Sequence, residues 1–318
     1  MAGNPSAVWE SEDPMHHLDM PNPDAQVLDR DSFDPDHQPP LPFAAAEDYA
    51  RTVMDWSRDA LPDTVVATLD IAYGEHRLHR YNLFTPHGAQ KAPLLVFWHG
   101  GGWTNGYRDY VSFMAPHLVR RGFALVAPSY RLATDTPLPA ALEDCCALLD
   151  HLADHAHRHG ADIGQTYLAG HSAGGHLAAL TALRYPRMAH ARPARCVVRG
   201  CLPISGIMDM HHPAPQPGSL EERVYTTVLG HPDDDALMSP LCWTAGNRIP
   251  FVVTYGAHDS ARVQHSNRRM LALLRAQEGP ASLHIEASTD HFASHTMLKN
   301  SAHPWYERLG QLERETRT

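Results

Sequence analysis

The 318-residue sequence has no apolar run near the length a membrane-spanning helix requires, ~18–20 residues, which excludes an integral helical membrane protein. Cysteine is sparse. Cys145 and Cys146 are adjacent, and Cys196, Cys201 and Cys242 are scattered, so the thiols form neither a paired disulfide framework nor a Cys-x-x-Cys metal knuckle. Reduced, mostly buried thiols are expected, with the adjacent pair half-buried. Positive charge is also scarce, the formal net charge being −10, and no basic stripe is available to neutralise phosphates, which excludes nucleic-acid binding. Residues 1–20 lack the basic end and apolar stretch of a secretory signal, and a cytoplasmic protein is expected.

What is present is unevenly distributed. Residues 1–42 hold nine acids against Arg30 alone, so −8 of the net charge lies there, together with eight prolines and little apolar periodicity. Such a segment buries too little to offset its chain entropy, and it reads as an acidic, proline-rich arm through which a homo-oligomer could assemble. The folded part is expected over residues 43–318.

A helical pattern over 43–60 leads into two strand-like runs, 65–73 and 76–84, joined at Gly74-Glu75 as in a hairpin. Continuous apolar runs at 93–98, 123–127, 167–169, 196–204 and 251–256 read as strands buried on both faces, with another strand at 282–286. Helical stretches at 110–121, 138–159, 172–185 and 263–277 fall between them. This alternation predicts an α/β protein with a mainly parallel central sheet and helices on both faces. The proline-rich, acidic stretch at about 207–248 interrupts the rhythm and reads as a lid or pocket-wall insertion.

Gly170-His171-Ser172-Ala173-Gly174 satisfies G-x-S-x-G between a strand and a helix. A serine on that turn is exposed beside a helix N-terminus, which makes Ser172 the candidate nucleophile. His99-Gly100-Gly101-Gly102-Trp103 follows a buried strand, and its glycines let backbone N–H groups approach a substrate closely. Gly101 and Gly102, with the N–H of Ala173, are the candidate oxyanion hole. No lysine follows the glycines, as a phosphate-binding loop would require. A serine hydroxyl needs a histidine base and a carboxylate to orient it. Asp259 and His291 follow later strands and give the order Ser172, Asp259, His291; Asp235 and Asp290 compete as the acid, and His295 and His303 as the base.

These residues resemble the α/β-hydrolase superfamily over roughly residues 65–310. His-Gly-Gly-Gly-Trp is similar to the hormone-sensitive-lipase-like esterases, although His171 stands where those have Asp, and Ala257-His258 where they have Asp-Pro-Leu before the acid. Gly-His-Ser-Ala-Gly-Gly-His at 170–176, Ile204-Ser205-Gly206 with Asp209, Ser239-Pro240 and Asp290-His291-Phe292 look more like the kynurenine formamidase (arylformamidase) branch and its carboxylesterase relatives. That branch commonly reads His-Gly-Gly-Tyr-Trp, so Gly102 is a departure. The resemblance implies a serine hydrolase that needs no cofactor.

The 24 histidines include His151, His155 and His159 at i, i+4 spacing, and His291 with His295. Such spacing can bind a metal, but Asp154 and Arg158 interleave the first set as on a solvated helix face, and no Glu sits where a zinc-protease helix needs it; no metal is expected. Trp103 and Tyr107 after the glycine loop, with Ile207 and Met208 opening the insertion, are the candidate substrate lining. An apolar, aromatic wall suits a small, neutral or aromatic ester or activated amide. Arylformamidase is the close alternative, and a hydrolase-fold small-ligand receptor is the rival outside enzymes.

Overall fold

The computed structural model describes residues 38–188 and 195–317, which lie in the unit Phe33–Thr318. Of the arm expected over 1–42, only 38–42 fall among the described residues; the rest, and any assembly through it, lie outside them. Eight strands form one sheet in the order β1-β2-β4-β3-β5-β6-β7-β8. They are β1 (Val65–Ala72), β2 (Arg80–Pro86), β3 (Ala92–Trp98), β4 (Ala124–Pro128), β5 (Ala161–His171), β6 (Val198–Ile204), β7 (Phe251–Gly256) and β8 (Ala281–Glu286). β2 runs antiparallel to both β1 and β4, and every pairing from β4 to β8 is parallel. Residues 94–98 of β3 and all of β4 are buried without alternation, so protein covers both faces of the sheet there.

The helices are α1 (Ala44–Ser57), α2 (Ala115–Val119), α3 (Ala140–His155), α4 (Ala173–Met188), α5 (Leu220–Arg223), α6 (Ala261–Arg275), α7 (Ala293–Thr296) and α8 (Pro304–Thr316). None is long and apolar enough to cross a membrane among the described residues. Several elements depart from expectation. The helix expected over 110–121 is a 3₁₀ turn at Arg108–Met114 followed by the short α2, because Pro116 has no N–H with which to continue an α-helical ladder. The second hairpin strand starts only at Arg80, since His79 folds back over Tyr73, with ring centroids 5.0 Å apart, and its Nε2 meets the buried Asp144 at 3.0 Å. The strand expected over 167–169 lies within the longer β5. Cys145 and Cys146 are both buried, not half-buried.

Residues 207–248 carry α5, a π turn at Val224–Val228 and short 3₁₀ turns, and are anchored to the core. Val224, Val228 and Met238 are buried, and Leu138 ahead of α3 exchanges backbone hydrogen bonds with Val228 and Gly230.

Among the histidines that lie fully inside are His99, His176 and His295. His99 stacks on Tyr130 with centroids 4.4 Å apart. His176 accepts from the Trp103 indole at 3.1 Å and donates through Nε2 to the Met238 carbonyl at 2.7 Å. His295 stacks on Phe97 with centroids 5.3 Å apart. Burial pushes His99 and His176 down to about 4 and His295 to about 3. Unfolded histidine titrates near ~6.5, so at intermediate pH the unfolded chain binds protons that the native one refuses. Stability should therefore rise with pH between ~4.5 and ~6.5, with unfolding at pH ~5 taking up roughly three protons through these rings. Denaturant melts across that range measure the slope; a flat profile would contradict the burial of these rings as neutral groups.

Candidate active site

Ser172 stands alone between the end of β5 and the start of α4, in the left-handed region at φ 55. Few non-glycine residues adopt that conformation, and here it is over-determined by its neighbours. The Ser172 N–H donates to the Ile204 carbonyl at 2.9 Å, and its own carbonyl accepts the His176 N–H at 2.9 Å. α4 starts in direct backbone contact with the sheet: a Cβ built on Gly174 would lie 2.1 Å from the Trp98 carbonyl oxygen. Only glycine allows the helix to begin there.

The loops after β7 and β8 bring Asp259 and His291 to this turn. His291 Nε2 lies 2.8 Å from Ser172 Oγ, and its Nδ1 lies 2.6 Å from Asp259 Oδ1. The Asp259 side chain is fully buried, whereas that of His291 is 30% exposed, so the imidazole meets solvent while the carboxylate does not. The other Asp259 oxygen accepts from Ser205 Oγ at 2.5 Å and from the Gly256 N–H at 3.1 Å. The competing residues are engaged elsewhere. Asp290 accepts from the Ala293 N–H at the start of α7, and Asp235 binds His211 and the Tyr225 hydroxyl within the insertion. His295 is buried behind the site, and His303 accepts from the Trp305 N–H.

The glycine loop after β3 closes the other side. A Cβ on Gly100 would lie 3.2 Å from Ser172 Cβ, which sets the loop directly against the serine. Gly101 (φ 128) accepts from the Thr104 and Asn105 N–H groups, folding the loop into a tight reversal. Among the described residues the N–H groups of Gly101, Gly102 and Ala173 have no protein acceptor. The loop is braced from outside by a contact the sequence did not signal. Gln38 donates to the Gly106 carbonyl at 3.0 Å and accepts the Gly106 N–H at 2.9 Å, while Asn105 Nδ2 donates to the Pro39 carbonyl at 2.6 Å.

The expected substrate lining needs correction. Trp103 and Met208 are 1% and 0% exposed, and Tyr107 and Ile207 are 5% and 6% exposed. The Trp103 indole is drawn inward by His176, which lies one turn into α4 and is itself held by Met238 of the insertion. Met208 donates its N–H to Ser266 on α6. Trp103 and Met208 are therefore interior packing and not an open wall. His151 and His155 on α3 are partly exposed, with their rings stacked 4.1 Å apart. Among the described residues no group of three or more His, Cys, Asp or Glu is arranged to hold a metal ion.

Comparison with known proteins agrees with this architecture. The chain is 26% identical over 285 residues to kynurenine formamidase of Drosophila melanogaster, an alignment covering 86% of this chain and 92% of that protein. It is 40% identical over 95 residues to esterase LipI of Mycobacterium tuberculosis, 30% of either chain. Among solved structures, esterase B from Lactobacillus rhamnosis, inhibited by a tributyrin phosphonate, superposes with a TM-score of 0.71 at 20% identity, over 85% of this chain and 93% of that one. That likeness is one of fold, the α/β-hydrolase fold. The family model described as BD-FAE matches residues 82–272, which run from β2 through the serine turn and Asp259 into α6, and the chain therefore belongs to the BD-FAE family.

Proposed function

We propose that this serine hydrolase of esters or amides cleaves small, aromatic carboxylic esters or activated amides through an acyl-enzyme intermediate. The observation that carries the reading is the unbroken series from Ser172 Oγ through His291 to the buried Asp259, at 2.8 and 2.6 Å, on a strand-to-helix turn. Ser172 Oγ attacks the carbonyl carbon as His291 Nε2 takes its proton. Asp259, acceptor-only and buried, holds the imidazole by Nδ1–H and stabilises the imidazolium. The N–H groups of Gly101, Gly102 and Ala173 receive the oxyanion. His291 returns the proton to the departing alkoxide or amine as the acyl bond breaks, and then activates water to release the acid and regenerate Ser172.

Ser172→Ala is expected to remove nearly all turnover while keeping the fold, leaving no more than the ~10³–10⁴ over water that the remaining site can supply. His291→Ala should cost comparably. A fluorophosphonate should label Ser172; wild-type turnover in Ser172→Ala, or labelling of another residue, would overturn the mechanism.

Arylformamidase activity is the second reading, supported by the relative named kynurenine formamidase, which aligns over 86% of this chain. A formyl group needs little acyl-side room, whereas Gly102, in place of a bulky residue, widens that side for a larger acyl group. Tyr107 and Ile207, themselves nearly buried, remain the candidate apolar lining, and such a lining would favour compact substrates over highly charged ones. The ratio of kcat/KM for N-formylkynurenine to that for phenyl acetate decides between the readings. A value of ~100 or more, about 2.7 kcal/mol of transition-state preference, would put the formamide first.

The Gln38 brace adds an expectation for the N-terminal segment. Removing residues 1–40, or making Gln38→Ala, should lower kcat by ~3–10-fold through a looser oxyanion loop, whereas removing residues 1–37 should not. Equal kcat for the two truncations would dismiss the brace. A homo-oligomer formed through the acidic segment and a cytoplasmic location belong to the same proposal. The solution mass of the chain with and without residues 1–37, and cell fractionation, test them.

A further inference from the structure

Behind His291 lies a set of buried polar side chains that the mechanism above does not use. His171, beside the serine, is 1% exposed, and its Nε2 lies 2.8 Å from the backbone carbonyl oxygen of His291. Tyr49, on α1, has its hydroxyl 3.4 Å from His171 Nδ1 and 2.8 Å from His295 Nδ1. His295 is fully buried, stacks on the His171 ring with centroids 5.1 Å apart, and has no partner for Nε2.

The hydrogen atoms in this cluster can be assigned. A carbonyl oxygen only accepts, so His171 Nε2 carries a hydrogen. Burial holds the ring well below its usual range for protonation, so it is neutral and its Nδ1 is an acceptor. The Tyr49 hydroxyl can supply that acceptor while taking a hydrogen from His295 Nδ1. This leaves a lone pair on His295 Nε2 without a partner, where the opposite tautomer would orphan a buried N–H, the rarer defect. The hydrogens thus point one way, from His295 through Tyr49 and His171 to the backbone of His291.

The His291 carbonyl has a second neighbour. The Ser294 hydroxyl lies 2.6 Å from the His291 carbonyl and 2.8 Å from Ser205 Oγ, and Ser205 Oγ lies 2.5 Å from Asp259. Those three contacts share only two hydroxyl hydrogens. Ser205 donates to Asp259 and Ser294 to the His291 carbonyl, whose second lone pair accepts the His171 Nε2–H.

We propose that His171 is a positioning residue: through its Nε2–H it latches the loop carrying His291 to the turn carrying Ser172, with Tyr49 fixing the tautomer that makes the donation possible. The two reacting side chains sit on separate loops, and one dipeptide, His171-Ser172, both supplies the serine and holds the backbone of its partner. Because the latch acts on the carbonyl of His291, its loss leaves substrate binding intact and loosens the 2.8 Å approach of His291 Nε2 to Ser172 Oγ. The inference rests on the reading of His291 as the base.

The test compares two variants by steady-state kinetics on p-nitrophenyl acetate. His171→Met fills the space with no donor, and kcat should fall ~10–100-fold with KM within ~2-fold, since displacements of this order cost that much. His171→Gln keeps both functions, an amide N–H for the His291 carbonyl and an amide oxygen for Tyr49, and should return kcat to within ~3-fold of wild type. A His171→Met variant with unaltered kcat overturns the latch. So does a His171→Gln variant as impaired as His171→Met, because a role in packing alone would not distinguish donor from non-donor. If His171→Met does not fold, the glutamine variant decides by itself, a tenfold or greater loss of kcat counting against the latch. Ser172→Ala and His291→Ala run beside them: if both are inactive while His171→Met is unimpaired, only the latch fails, and if His291→Ala turns over normally, the reading of the base fails and the latch with it.

Discussion

The structure depends on one close contact, where the backbone of α4 touches the end of β3. Gly174 lies against the Trp98 carbonyl with no space for a methyl group, and that proximity forces the chain between β5 and α4 through a left-handed residue. Ser172 is that residue. Its hydroxyl stands clear of the sheet because the turn is too tight to bury it, and Ala173 opens a helix whose first N–H groups have no internal acceptor. The same contact sets the glycine loop after Trp98 against the serine, so the Ser172 hydroxyl and the N–H groups of that loop are positioned by one packing event.

The parallel order of the sheet supplies the rest. β5, β6, β7 and β8 are successive neighbours, and their C-terminal ends open on the same side. Ser172 follows β5, Ser205 follows β6, Asp259 follows β7 and His291 follows β8. Four loops far apart in sequence thus become adjacent, as is general at the carboxyl ends of such sheets. His176 ties the arrangement together below the surface, linking the Trp103 indole of the glycine loop to the Met238 carbonyl of the insertion from a position on α4.

Much of this was legible because local chemistry and global fold agree. The apolar runs gave the buried strands, and the alternation of runs and helical stretches gave the parallel sheet. Gly-x-Ser-x-Gly between a strand and a helix could be read without neighbours, because its constraint is local. The side-chain partners behind the triad could not. Tyr49 meets His295 across 246 positions and Gln38 meets Gly106 across 68, and no periodicity records such pairs. His171 and His176 stood in view within the motif, but a histidine reads the same whether it faces solvent, substrate or core. Trp103 was misread for that reason: an aromatic after a glycine loop suggests a wall until its N–H is seen to be held from within. The helix expected across Pro116 is interrupted because that residue has no N–H to donate.

The long-range nature of the Tyr49 to His295 contact bears on how the protein matures. β8, His291 and His295 follow almost all of the sheet in sequence, and α1 precedes it. As a nascent chain leaves the ribosome, His291 and its buried companions are among the last parts of the domain to emerge, and a domain generally folds as a unit. Until then Tyr49 lacks Phe292 and His295, the C-terminal rings that pack against it. The face of α1 that carries Ala46, Tyr49 and Val53, buried in the finished protein, is thus left partly uncovered on the unfinished one until the segment after β8 folds over it.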